Sequence, residues 1–194
     1  PFEANYVAEK GYGDCKALTN YTMALLKTIG IKSHYTLVKS GYYNDIDPTF
    51  VNDQFDHIIL CVPLTKDTVW LECTSQTLPF NYLSGSTSDR HVLLTTPNGG
   101  KLVRTSSFSK GENQYKQVAV INLEQQGNTT KANFTNYFSG IFYGMYDSYA
   151  LESEDEMKRI LNKLIKLPPF NVAKVSYSEK KIETPSSSLP YNLD

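Results

Sequence analysis

The hydrophobic pattern alternates between helical and strand periods along the chain. Leu18, Tyr21, Thr22 (through its methyl), Leu25, Leu26 and Ile29 recur at spacings of three and four, which predicts an amphipathic helix from Cys15 to Ile29, stopped by Gly30. A second helix is predicted over Ser153–Leu167. There Ser153 stands as N-cap with Glu156 three residues on, a capping box, and Pro168-Pro169 close the segment. Short runs with strand character occupy Ser33–Val38, Phe55–Val62, Thr68–Glu72, His91–Thr95, Leu102–Thr105, Tyr115–Gln125, Thr129–Phe138 and Val172–Tyr177, with a turn at Gly127-Asn128. The segment before Gly11 reads as a weak helix or turn, Gly41–Asp53 as a loop lying over a cleft, and Thr74–Asp89 as polar and turn-like. Thr184–Asp194 reads as a Pro/Ser-rich tail. The expected fold class is therefore α+β.

Phe55–Val62 is the clearest strand: His57, Ile59 and Cys61 share one face, and Ile58, Leu60 and Val62 the other. Pro63–Asp67 is short enough to make this strand and Thr68–Glu72 an antiparallel hairpin. Thr96-Pro97-Asn98-Gly99-Gly100 is the strongest punctuation in the chain and predicts a domain boundary there, giving a first domain over 1–97 and a β-rich second one over 98–194.

Composition narrows the functional classes. The chain of 194 residues has 40% hydrophobic and 20% charged residues, as ordinary soluble domains do. A net charge of −1 gives no sign of a nucleic-acid or anionic-membrane partner. The longest apolar run, Ile58–Val62, is too short to cross a bilayer, so no transmembrane segment is expected. Three cysteines (Cys15, Cys61 and Cys73), without a C-x-x-C pair, argue against a disulfide scaffold, a zinc site or thioredoxin chemistry. No metal or other cofactor is expected, and no calcium-loop pattern is present. With no leader at Pro1 and a candidate nucleophile only fourteen residues in, the sequence reads as a fragment of a longer chain.

That nucleophile is Cys15. Gly11-Tyr12-Gly13 makes a turn, Asp14 stands at the N-cap position, and the cysteine follows at the first turn of the helix. Amide N–H groups and the helix dipole favour a thiolate there. Gly13 would let another chain approach the sulfur. The bland alternative is a packed structural thiol. A thiol nucleophile needs a base and a group to orient that base. Of the three histidines, His57 lies on the strongest strand. Glu72, fifteen residues later on the partner strand, should come out at roughly its level across the hairpin. His34 and His91 read as surface residues, Asp14 as an N-cap, Asp56 as solvated, Cys61 as a core thiol and Trp70 as core or cleft wall.

Gly13-Asp14-Cys15-Lys16 at a helix start, the strand Phe55-Asp56-His57-Ile58-Ile59, and then Trp70-Leu71-Glu72-Cys73-Thr74 together resemble the transglutaminase-like superfamily. The resemblance covers residues 1–95 and is nearest to exported bacterial proteins that flank this core with β domains. It implies a papain-like α+β core, here lacking its upstream part. The implied triad is Cys15 as nucleophile, His57 as general base and acid, and Glu72 as the orienting carboxylate. It also implies thiol-dependent acyl transfer on amide bonds, with hydrolysis of a peptide or protein substrate preferred over crosslinking, and a periplasmic or cell-surface location. Glu72 departs from the family's usual Asp, and Cys73 from the Pro that follows it. The alternative expectation is a binding or structural module of the cell envelope that keeps the fold without turnover.

Overall fold

The computed structural model describes residues 3–123, 130–166, 170–182 and 184–194. The turn expected at Gly127-Asn128 and the stop at Pro168-Pro169 lie outside them. The chain forms two compact units, 1–108 and 109–194, each built on its own antiparallel sheet with few helices, an α+β arrangement.

In the first unit, helix α1 (Ala4–Lys10) leads into α2 (Cys15–Thr28). Strands β1 (His34–Val38), β2 (His57–Pro63), β3 (Thr68–Leu71), β4 (His91–Thr96) and β5 (Gly99–Arg104) form a sheet in the order β3-β2-β1-β4-β5. Central β2 is buried on both faces, from Ile58 through Val62. Helix α2 packs across β1 and β2 and buries Ala17 and Thr19. Val38, Ile59, Cys61, Trp70, Val92 and Leu94, which the strand registers place on one face, form a core closed by Leu83. The boundary expected at residue 97 is displaced: Thr96-Pro97-Asn98-Gly99-Gly100 is the turn of the β4–β5 hairpin, and β5 completes the first sheet.

The stretch Thr74–Asp89, read as polar and turn-like, is largely inside, as is Arg90 after it. Thr77, Tyr82, Leu83, Thr87, Ser88 and Arg90 are buried. A loop is tolerated there because most of its polar groups are satisfied, although the buried Thr87 hydroxyl is not. Ser75 Oγ accepts from the Thr77 and Leu78 amides, and Asn81 Oδ1 accepts from the Trp70 amide at 2.9 Å.

In the second unit, β6 (Tyr115–Leu123), β7 (Thr130–Ser139), β10 (Ser186–Leu193) and β8 (Val172–Val175) lie in that order, and β9 (Ser178–Lys180) pairs with β10. Helix α3 (Tyr143–Tyr146) sits near β7 and β10, and α4 (Glu154–Leu164) packs on β8. The capping box is half-formed in the expected way, with Ser153 Oγ accepting from the Glu156 amide at 3.2 Å. The expected tail at 184–194 is instead a central strand. Leu189, Tyr191 and Leu193 alternate into a core with Phe138, Met157, Leu161 and Val175. A proline inside such a strand removes a ladder donor. Pro190 escapes the cost because β10 pairs with β9 over Ser186–Ser188 and with β8 from Tyr191 onward, leaving Pro190 between the two ladders.

Candidate active site

Asp14 caps α2: its Oδ1 accepts from the Ala17 amide at 2.8 Å, so this carboxylate serves the helix. Gly13 is explained by packing within the chain. A Cβ there would sit 2.9 Å from Ala17 Cβ and crowd Val7 and Leu18, so glycine lets the turn lie under the helix start. Cys15 follows, half-buried, with a free thiol. Tyr35 of β1 lies within its electrostatic reach: burial, then negative charge at Cys15 and Asp14, raises the Tyr35 pKa.

His57 opens β2 opposite Val38 of β1. Its Nε2 meets Glu72 Oε2 at 2.9 Å, with side-chain exposures of 18% and 9%. The two residues are not level. The register Leu60↔Leu71, carried one step further, puts Glu72 opposite Ile59, a diagonal neighbour of His57 on the same face. Diagonal neighbours are about 7–8 Å apart and need a long side chain to meet. The extra methylene of glutamate supplies that reach, which gives a physical reason for Glu rather than Asp at this position. The other carboxylate oxygen, Oε1, accepts from Thr74 Oγ1 at 2.6 Å and from the Thr74 amide at 3.2 Å.

The electrostatics follow from these contacts. Burial opposes charge on both partners, yet the mutual hydrogen bond and Coulomb attraction prevail. His57 is raised above its ordinary pKa, with Asp56 contributing, and Glu72 is lowered, helped by Thr74. Asp56 is more than solvated: its Oδ1 accepts from the Ser40 amide at 2.6 Å, fixing the chain after β1 beside the start of β2. Cys61 is a core thiol, its pKa pushed up to about 11 by burial. Burial also raises Cys73, whose thiol lies against Thr19 and Thr22 of α2.

The structure thus brings His57 and Glu72 together. Cys15 neither lines their cavity nor is among the charges that shift His57. Tyr35, within its electrostatic reach, pairs with Leu60 and so faces the opposite side of the sheet from His57. Cys15 makes no hydrogen bond with His57 among the described residues, and His57 Nδ1 is the ring nitrogen not engaged by Glu72. A cavity of about 440 Å³ opens beside the pair, lined by Tyr42, Thr74, Ser75, Leu78, Ser84 and Ser86 as well as His57 and Glu72. The 41–53 loop therefore reaches the site through Tyr42, while Tyr43 and Val51 point fully into solvent. His34 hydrogen-bonds the Thr95 carbonyl through Nδ1 at 3.2 Å, and His91 pairs with Asp45, both contacts lying at the surface.

Arg90 is the residue that sequence reasoning missed. It is 4% exposed, and its guanidinium donates to the carbonyls of Ser88, Lys39, Gly41, Asn44 and Gly85 at 2.7–3.1 Å. Burial works against the cation, and Asp45, Asp56 and Asp89 offset it at longer range. One side chain thereby ties the 39–44 segment to the 85–88 segment, and both border the cavity. A lone Arg beside a strand start carries no sequence signal for this role.

Among the described residues, no group of three or more His, Cys, Asp or Glu could hold a metal ion. No helix of the described residues is long and apolar enough to cross a membrane. No family model, curated protein or solved structure matches the chain.

Proposed function

We propose that this chain carries the catalytic centre of a thiol-dependent amidase or peptidase of the transglutaminase-like, papain-like kind, with Cys15, His57 and Glu72 as its triad. The observation that carries the reading is the half-buried His57–Glu72 hydrogen bond, with Glu72 clamped from behind by Thr74. A carboxylate held this way fixes the ring and stabilises the imidazolium. Cys15, at the first turn of α2, is the candidate nucleophile, because burial holds both Cys61 and Cys73 neutral.

In the reaction, His57 takes the Cys15 proton and Sγ attacks the amide carbonyl carbon. The C–N bond then breaks as His57 returns that proton to the leaving amine, and a thioester forms. Water, deprotonated by His57, attacks the thioester carbon, the C–S bond breaks, and the thiol is restored with release of a carboxylic acid. An amine in place of water would give a crosslink. The cavity beside His57, rich in hydroxyls, provides room for water, which favours hydrolysis. By the same resemblance we place the protein outside the cytoplasm, in the periplasm or at the cell surface, acting on a peptide or protein.

The test is iodoacetamide labelling of the chain between pH 5 and 9, read by mass at Cys15. Labelling of Cys15 near neutral pH should be at least tenfold faster than for an ordinary exposed thiol and fall to the ordinary rate in His57→Ala. Cys15→Ala should lose the label and all amidase turnover. Ordinary labelling in the wild-type chain would leave a fold without turnover.

A further inference from the structure

The edges of the two sheets are built differently. In the first sheet the edge strands are β3, four residues long, and β5, which carries Lys101 and Arg104. In the second, one edge is broken into β8 and β9, of four and three residues. Short strands and charges keep an open edge from pairing with another chain. The remaining edge, β6, has little of either protection. It runs nine residues with one charge, Lys116, and no proline, and its register against β7 is unshifted from Tyr115↔Phe138 to Leu123↔Thr130. All nine residues are exposed, and among the described residues no strand pairs with its outer side.

The first rung fixes which backbone groups face outward. The Gln114 amide donates to the Ser139 carbonyl at 3.4 Å, and the Ser139 amide to the Gln114 carbonyl at 2.9 Å, so this pair exchanges both bonds. Such pairs alternate along an antiparallel ladder. Lys116, Val118, Val120 and Asn122 therefore bond β7, while Tyr115, Gln117, Ala119, Ile121 and Leu123 turn amide and carbonyl to the open edge. The same five side chains stand on the core face. Tyr115 stacks on Phe138 with ring centroids 5.2 Å apart, and Gln117 donates to Asn136 Oδ1 at 2.8 Å. The helices over that face stop short of the strand: α4 packs on β8 at the far edge, and α3 on β7 and β10. Ile121 and Leu123 are left in solvent although they belong to the apolar row.

The strand that fits this edge is β6 itself. An antiparallel copy centred on Ala119 sets Ala119 opposite Ala119, Gln117 opposite Ile121 and Tyr115 opposite Leu123. Every outward group of one strand then meets an outward group of the other. The only charge, Lys116, falls opposite Asn122 of the second copy, so no like charges meet. Tyr115 and Leu123 cover one another, and a net charge of −1 leaves little repulsion between copies.

We propose that two copies of this chain pair through β6, antiparallel about a two-fold axis at Ala119, to make one continuous sheet. The pairing rests on the second sheet alone, whatever Cys15 does. Sedimentation of the full chain over a range of concentrations tests it, and the parent should show a monomer–dimer equilibrium. Ala119→Pro removes an outward N–H and none that β7 uses, a place where an edge strand accepts proline. It should weaken the dimer by about tenfold or more, one bond being lost on each side of the axis, while circular dichroism stays as in the parent. Ala119→Lys and Ala119→Glu each set like charges face to face, so each alone should be monomeric. An equimolar mixture of those two variants should dimerise again. A parent that is monomeric at every concentration overturns the proposal and leaves the edge to a strand of another polypeptide. A dimer untouched by Ala119→Pro is held elsewhere and overturns it too, as does a mixture of the two charged variants that stays monomeric.

Discussion

Two imidazole–carboxylate pairs sit on the same sheet at the same separation, and they are built for different ends. His57–Glu72 and His91–Asp45 are each 2.9 Å apart. The first pair is 18% and 9% exposed, the second 33% and 34%. Glu72 spends its remaining oxygen on Thr74 and so is held from behind, with the ring facing a cavity. Asp45 spends its other oxygen on the His91 amide at 2.9 Å, and Arg104 stands 3.7 Å away, so this carboxylate pins a loop to the head of β4. The contact distance alone therefore says nothing about role. Burial, and what holds the far side of the carboxylate, decide it.

The largest effect expected from that difference is on turnover. Glu72→Gln keeps the shape but removes the charge that stabilises an imidazolium, and its amide no longer dictates the ring tautomer. Amidase activity should fall about 10²–10⁴-fold, while Asp45→Asn should stay within about twofold. Progress curves on the same amide substrate compare them directly. Equal losses in the two variants would erase the distinction between the pairs.

A second contrast sets Arg90 against Arg104. Both are arginines beside the head of β4, Arg90 just before it and Arg104 at the end of β5, but Arg90 is buried among five carbonyls while the Arg104 side chain is 49% exposed beside Asp89. Arg90→Met strands those carbonyls away from water, and the expected loss is about 3–5 kcal/mol in urea unfolding. Proteolysis within 41–53 should accelerate as well. Arg104→Met should cost less than about 1 kcal/mol, the ordinary worth of an exposed pair. A mild Arg90 variant would mean that its carbonyls find other donors.

How far all this was legible in the sequence depended on how local the determining physics is. Helix α2 and its cap announce themselves through side-chain period and an Asp at one position, and β2 through an unbroken apolar run. The His57–Glu72 pairing was legible because a short hairpin brings its strands together, although the diagonal register was not. The buried stretch Thr74–Asp89 was misread because Ser, Thr and Asn there look like solvent-facing turn residues. Ser75 and Ser84 bond neighbours within the loop, Asn81 accepts from Trp70, and Arg90 takes the Ser88 and Gly85 carbonyls, and that accounting exists only after folding. Strand β10 was misread as a tail because serine and proline obscure the alternation of Leu189, Tyr191 and Leu193. The location of Pro190 between two ladders depends on strands more than ten residues away.

The smallest effect is the pH dependence that the His57–Glu72 pair gives the fold. The folded pKa of His57 is raised above its ordinary 6.5, so the stability it contributes is fully present below about pH 6.5 and is lost as pH rises through the folded value. Glu72 is lowered from 4.5, so its contribution is present above about pH 4.5 and is lost as pH falls through its folded value. The pair therefore supports the fold most between about pH 4.5 and 6.5, and unfolding free energy should decline on the alkaline side of that window. Urea midpoints measured from pH 4 to 9 check this. His57→Asn should remove the alkaline decline. If the decline survives in His57→Asn, the buried pair is not an ion pair when the imidazole is protonated, and the poise assigned to His57 goes with it.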